Sequence, residues 1–145
     1  MGKLKLSDIA VTPLRRISVA GGDVLHALKL TDASFRGFGE AYFSMIEHLA
    51  VKAWKRHRQM TLNLVVPVGM VRFVFKVDDD PMLRVEDAGE SNYVRITVPP
   101  GVWFGFQGRG VPASLLLNVA DIVHSPDEVE RGAVDLFAFN WELPR

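Results

Sequence analysis

The sequence predicts an all-β protein, a sandwich or barrel. Short runs of β-branched and aromatic residues recur along the chain, and Gly- and Pro-containing turns separate them. No stretch carries the ~3.6-residue apolar periodicity of a long amphipathic helix. The 145 residues are enough for one hydrophobic core. The expected organisation is therefore a single domain over 1–145, with 1–20 as an N-terminal arm or edge strand. Hydrophobic residues at 48% and charged residues at 23% suit a globular protein.

Residues 3–18 alternate loosely between apolar and polar positions, and Pro13 points to an edge strand or irregular arm. Gly21-Gly22-Asp23 is a turn signal. Val24–Leu30 reads as a strand, and Asp32–Ser34 as the next turn. Phe35–Ser44 is aromatic and glycine-containing, which predicts a strand with a bend. His48–Arg58, Leu62–Val68 and Met70–Val77 are three further strands, with Pro67-Val68-Gly69-Met70 as the tight turn of a hairpin. Leu64–Val68 is apolar on both faces, as a strand buried in a sandwich must be. Asp78-Asp79-Asp80-Pro81 stops the preceding strand, and 79–92 reads as a polar loop. These aspartates lack the spacing and the glycine of an EF-hand, so they read as a solvated turn.

Tyr93–Val98 alternates cleanly and predicts a strand. Pro99-Pro100-Gly101 makes a turn before the aromatic segment VWFGFQG, and Ser114–Val119 is another apolar strand. Ser125 as N-cap and Pro126 at the first position would open one helical turn over 125–131. Leu136–Trp141 is expected to close the chain as a last strand.

Formal net charge is zero, so no global field favours DNA, RNA or an acidic membrane as partner. The absence of cysteine excludes disulfides, thiolate nucleophiles and zinc–cysteine sites. The start, MGKLKLSDIA, lacks an apolar signal core, and no apolar run approaches the roughly 20 residues of a membrane span. A cytoplasmic protein is expected. One local feature departs from this balance. Lys52, Lys55, Arg56, His57 and Arg58 crowd beside the apolar run that ends at Asp78. Cations at a strand end are costly to bury unless an anion meets them. A small anionic ligand fits such a local cluster better than a polymer does. A solvated edge strand kept basic against edge pairing is the plainer alternative.

The order of elements carries a resemblance. A basic strand at Val51–His57, the run LVVPVGMVRFVFKVD, then YVRITVPPGVWFGF, an apolar strand and a terminal FNW resemble the cupin family of dTDP-4-dehydrorhamnose 3,5-epimerases and related sugar-nucleotide epimerases and isomerases. The resemblance spans roughly residues 20–142. It implies a cupin-type double-stranded β-helix, a jelly-roll sandwich, with no metal and no other cofactor. It also implies a homodimer, often with exchanged N-terminal strands, and a dTDP-linked 4-keto-6-deoxy sugar as ligand. In such enzymes a histidine base takes the proton next to the ketone, a lysine offsets the enolate, and a tyrosine returns a proton from the other face. A base near neutral pKa and a fixed cation are what that chemistry requires.

Carried over by resemblance, Lys52 stands at the family's arginine and Lys55 at its histidine. His57 lies two residues on, and on a strand positions 55 and 57 share a face. The candidate catalytic residues are thus His57, Lys55 and Tyr42. The candidate substrate-binding residues are Lys52, Arg56, Arg72, Glu40, Asn63 and Trp103. Arg72, flanked by Val71 and Phe73, would point into the barrel toward a phosphate. Glu40, Tyr42 and Ser44 share one strand face in a segment that contacts the nucleotide in the family, and Trp103 could stack on a ring. The family lysine aligns near Asn63, and its tyrosine near Leu117-Asn118, where no phenol stands. The aspartate that orients the base belongs to a C-terminal extension for which the chain up to Arg145 offers no expected counterpart. No metal site is expected either. Metal-binding cupins use a His-x-His pair, a glutamate and a further histidine, whereas this chain has Lys55-Arg56-His57 and Phe104. The function expected is a sugar-nucleotide epimerase or isomerase. A 3,4-ketoisomerase and a non-catalytic sugar-nucleotide or carbohydrate-binding cupin are the alternatives.

Overall fold

The alternation of apolar and polar side chains resolves into two facing antiparallel sheets in the computed structural model of the chain, which describes residues 2–142 and 144. The strands are β1 (Ala10–Pro13), β2 (Arg16–Ile17), β3 (Val24–Leu25), β4 (Glu40–Glu47), β5 (Val51–His57) and β6 (Leu62–Val68). They continue as β7 (Met70–Lys76), β8 (Arg84–Gly89), β9 (Val94–Val98), β10 (Trp103–Gly108), β11 (Ala113–Ala120) and β12 (Val129–Arg131). One five-stranded sheet has the order β1-β9-β6-β11-β4, and the other has β12-β5-β10-β7-β8. The only helical turns among the described residues are short 3-10 segments at Leu6–Asp8 and Pro126–Glu128.

The period of two decides which side chains meet between the sheets. Leu62, Leu64 and Val66 of β6, Ile96 of β9 and Leu116 of β11 face Val71, Phe73 and Phe75 of β7 and Phe104 of β10, all buried in one core. The intervening positions lie on the outer faces. There Asn63, Arg95 and Thr97 of the first sheet are buried by other means, under the 26–36 segment. Asn63 donates to the Ser34 carbonyl, and Arg95 donates to Ala27 O and Ser34 Oγ.

The structure amends several expected elements. Residues 67–70 are no hairpin turn, because β6 and β7 belong to different sheets and the chain crosses between them there. Pro67, which has no N–H to give, sits where the β6–β11 register slips between Leu115 and Leu117. Gly69 makes the bend at φ +84°. The expected strand at 24–30 keeps only Val24–Leu25, and the one at 35–44 begins at Glu40. The expected loop at 79–92 contains β8, an edge strand whose Asp87 and Glu86 pair with Arg72 and Arg84. Its charges mask a strand from its sequence and also keep that edge from pairing. Ser125 makes no side-chain cap bond. Leu136–Trp141 forms no strand. Instead, Phe137 and Trp141 lie with ring centroids 5.2 and 5.7 Å from that of Trp54, whose Nε1–H donates to Val134 O.

Gly69→Ala tests the crossing. Its new Cβ would sit in left-handed backbone and overlap Ser114 Oγ, whose position is set by its bonds to Met70 N and O. A loss of about 1–3 kcal/mol in urea unfolding is expected. An unchanged midpoint would refute the role given to this glycine.

Candidate active site

The site is built on β5 and its two neighbours. Lys55 pairs directly with Phe104 of β10, and Lys52 with Phe106, across a register irregularity. Both lysines therefore share the face of these core rings, although they are three residues apart. The Lys55 ammonium stands 5.5 Å from the Phe104 ring centroid. His57 is 6% exposed, and its ring stacks at 6.2 Å from that of Phe104. Arg56 takes the other face, where it pairs with Glu130 and Asp78 and lies 4.6 Å over Trp103.

On the far edge, β12 runs antiparallel to β5, with Val129 opposite His57 and Arg131 opposite Lys55. The 3-10 turn before it delivers Glu128, which is 7% exposed. Glu128 Oε1 lies 2.6 Å from His57 Nδ1, and its Oε2 accepts the N–H of Gln59 at 2.9 Å and of Met60 at 2.8 Å. Burial opposes ionisation of Glu128, but the bonds from His57, Gln59 and Met60 outweigh it and hold its carboxyl below the ordinary range. Burial lowers the pKa of His57, and Lys55 adds to this, against the upward pull of Glu128. An ionised carboxylate only accepts, so the neutral imidazole carries its proton on Nδ1. Its Nε2 lone pair is buried with no partner. That is the protonation state of a poised base.

Between β5 and the opposite sheet lies a cavity of about 340 Å³, lined by Lys52, Lys55, Phe106 and Arg131 on one wall and by Ser44 of β4 on the other. Among the described residues, the carboxylates pair with other cations, including Arg56, Arg58, Arg72, Arg84 and Arg95, and none pairs with Lys52, Lys55 or Arg131. Glu40, Tyr42 and Ser44 share the inward face of β4, where Asn118 of β11 lies opposite Tyr42 and donates to Ser44 Oγ. Burial and then Glu40 raise the pKa of the Tyr42 phenol, while Arg131 pulls it down. Burial, then Arg131 and Lys52, lower that of Lys55. Among the described residues no group of three or more His, Asp or Glu side chains could hold a metal ion.

Of the residues singled out from sequence, Lys52 and Lys55 line the cavity. His57 lies two residues further along the same strand, and Tyr42 and Glu40 stand on the facing sheet. The other four point elsewhere. Arg72 is on the outer face of β7, in an ion pair with Asp87 at 2.8 Å, because its neighbours Val71 and Phe73 take the inner positions. Asn63 is on the outer face of β6, accepting from Thr97 Oγ1. Trp103 packs on Phe137, and Arg56 packs on Trp103. Sequence reasoning missed Glu128 and Arg131. Glu128 supplies a carboxylate at the histidine from within the chain, so the expected lack of an orienting acid is corrected. Its only sequence signal is a pair of charges three apart in a polar segment, with nothing to tie it to His57, 71 residues earlier.

Two facing antiparallel sheets in this order, with a histidine–glutamate pair and cations that meet no carboxylate among the described residues at one end, define a cupin-type jelly roll. No family model matches the sequence, and no curated protein matches it. The crystal structure of a dTDP sugar isomerase from Desulfovibrio desulfuricans G20 is 38% identical, with TM-score 0.86 over 92% of this chain and 90% of that one. A dTDP-4-dehydrorhamnose 3,5-epimerase from Sulfolobus tokodaii shares the fold at 16% identity and TM-score 0.79, over 95% and 84% of the two chains. The sugar 3,4-ketoisomerase QdtA from Thermoanaerobacterium thermosaccharolyticum, in complex with TDP, shares it at 16% identity and TM-score 0.74, over 88% and 90%. The chain belongs to the cupin family of dTDP-4-dehydrorhamnose 3,5-epimerases and related sugar-nucleotide epimerases and isomerases.

The His57–Glu128 pair makes stability depend on pH. Both groups bind protons less readily in the folded chain, so the unfolded chain takes up more protons in acid. Stability therefore falls as pH drops below the ordinary histidine value of 6.5, and further below 4.5 as Glu128 is protonated. Glu128→Ala strands the Nδ1–H and two backbone N–H groups, for an expected loss of about 3 kcal/mol at pH 7.5. Urea titrations across pH 4–8 check both points. A flat pH dependence in the unmodified protein would contradict the assignment.

Proposed function

We propose that the chain is a sugar-nucleotide isomerase or epimerase. It would remove the proton next to the ketone of a dTDP-linked 4-keto-6-deoxy sugar, in deoxysugar or polysaccharide biosynthesis. The observation that carries this reading is His57, neutral, held by Glu128 at Nδ1 and with a buried, unpartnered Nε2, on the strand whose Lys52 and Lys55 line the cavity and meet no carboxylate among the described residues. The ketone acidifies the neighbouring C–H, and Nε2 accepts that proton as Glu128 stabilises the imidazolium that forms. Lys55 offsets the charge that develops on the enolate oxygen, and Lys52 and Arg131 meet the diphosphate. Tyr42, on the facing sheet, is the acid available from the other side.

The 3,4-ketoisomerase reading has an observation of its own. His57 and Lys55 rise from one strand, so a proton could be taken and returned on a single face of the sugar. Epimerisation instead requires delivery from the wall that holds Tyr42. The proposal includes a homodimer acting in the cytoplasm. Among the described residues no helix is long and apolar enough to cross a membrane.

The test is solvent exchange. With dTDP-4-keto-6-deoxyglucose in deuterated water, NMR should show deuterium entering at C3, or at both C3 and C5 for a full epimerase. His57→Asn should slow exchange by about 10²–10⁴-fold with binding retained. Binding without exchange in the unmodified protein would sink the enzymatic reading and favour the non-catalytic binding cupin.

A further inference from the structure

Strand β12 and the 3-10 turn before it set one charged residue against each titratable residue at the end of β5. Glu128 takes His57, Glu130 takes Arg56, and Arg131 stands opposite Lys55. The first two are complementary pairs. The third sets cation against cation, which is costly and which the chain could avoid with almost any other side chain at 131. Arg131 is exposed on an edge strand, so no packing demand holds an arginine there. It nonetheless lines the same cavity as Lys52, Lys55 and Ser44.

We propose that Arg131 is the charge-setting positioning residue of this pocket, fixed opposite Lys55 so that Lys55 gives up a proton to the substrate enolate rather than serving as a static counter-ion. The inference rests on the isomerase reading above, but makes Lys55 a proton donor where that reading has it only offset charge, and it adds a role to Arg131 that the reading does not need. In the step envisaged, the C–H bond beside the ketone breaks. Its proton goes to His57 Nε2, and its electron pair enters the enolate. One N–H bond of the Lys55 ammonium then breaks as an O–H or C–H bond forms on the enolate, leaving a neutral amine. The imidazolium proton then passes to that amine, directly or through water, which restores both groups.

The charges around Lys55 support this assignment. From its own strand it faces Lys52 and His57, and from β12 it faces Arg131. The Phe104 ring lies below it on β10, and Glu40 and Tyr42 belong to the facing β4. Burial and two neighbouring cations all lower its proton affinity, and Arg131 is the larger of the two cationic contributions. The same guanidinium opposes the rise in the pKa of Tyr42. Arg131 thus makes a stronger acid of the proton carrier on each wall.

Two variants of the full chain, Arg131→Gln and Arg131→Lys, separate this from a structural role. The first readout needs no substrate. The pH dependence of Lys55 acylation by trace acetic anhydride, followed by peptide mass spectrometry, gives the Lys55 midpoint. It should rise by about one unit in Arg131→Gln and return to the original value in Arg131→Lys. The second readout is the pH profile of kcat for substrate exchange. Its alkaline limb should move up by the same amount in Arg131→Gln, with kcat at saturating substrate and neutral pH down ~10-fold, whatever rise in KM the lost diphosphate contact brings. A midpoint that does not move overturns the inference, as does a rate that falls while the limb stays in place. Lys55→Arg keeps the charge but cannot give up a proton, so an alkaline limb that survives in it also overturns the inference. If the unmodified protein exchanges no proton, the isomerase reading fails and Lys55's catalytic part falls with it. An unmoved Lys55 midpoint in a protein that does exchange strikes the Arg131 inference alone.

Discussion

The Glu128 carboxylate is the tie on which the rest of the site depends. One oxygen takes the imidazole N–H of His57, and the other takes the backbone N–H groups of Gln59 and Met60, just past the end of β5. A buried carboxylate with so many donors is stable only as the anion, and as the anion it allows His57 one tautomer. The same bonds hold the 126–128 turn against the sheet. From there the next residues continue as β12, and the register that follows puts Arg131 opposite Lys55. The proposed base, its carboxylate partner and a pocket cation thus come from two strand segments joined at one residue. The loss of that residue would disorganise chemistry and edge pairing together.

Strand alternation then divides the basic residues between the two faces of the second sheet. On the outer face, Arg56 and Arg72 meet carboxylates, and Arg56 also meets an aromatic ring. These contacts close the sheet under the C-terminal segment. On the inner face, Lys52 and Lys55 meet Phe106 and Phe104. The Lys55 ammonium, half-buried over the Phe104 ring, is less well solvated than exposed Lys52, and it gains most from a ligand that brings negative charge. The cluster that looks uniform in sequence is therefore two clusters. One is satisfied by the protein, and the other is left for a ligand.

Much of the framework was legible because it rests on local pattern. The apolar runs of β6, β7 and β11 and the alternation of β9 announce themselves, and the shared face of residues 55 and 57 follows from strand geometry. What escaped depends on partners distant in the chain. β8 and β12 are short, charged edge strands whose residues are chosen for ion pairs with Arg72, Arg84 and Arg56. No one-dimensional pattern marks that purpose. Arg72 was misplaced because apolar neighbours were taken as evidence of an inward side chain, whereas on a strand they imply the opposite face. Asn63 was taken from alignment to a family position without its register, and Trp103, read as a ring that could stack on a ligand, packs with Phe137 and Arg56 instead. The missing phenol near Asn118 found a candidate one strand away, since Tyr42 pairs with it across β4 and β11.

The arrangement of the two walls bears on which reaction this scaffold favours. His57 and Lys55 belong to one sheet, and Tyr42 to the other. A planar enolate held between them presents one face to each wall. Inversion at carbon needs a proton from the wall opposite the base, while migration of the carbonyl needs only a donor on the base's own side. The donor nearest His57 in the chain is Lys55, and burial with Arg131 and Lys52 loosens its proton. Burial and Glu40 tighten the proton of Tyr42. If His57 is the base as proposed, the reaction thus turns on which wall returns the proton, Lys55 beside it or Tyr42 across the cavity.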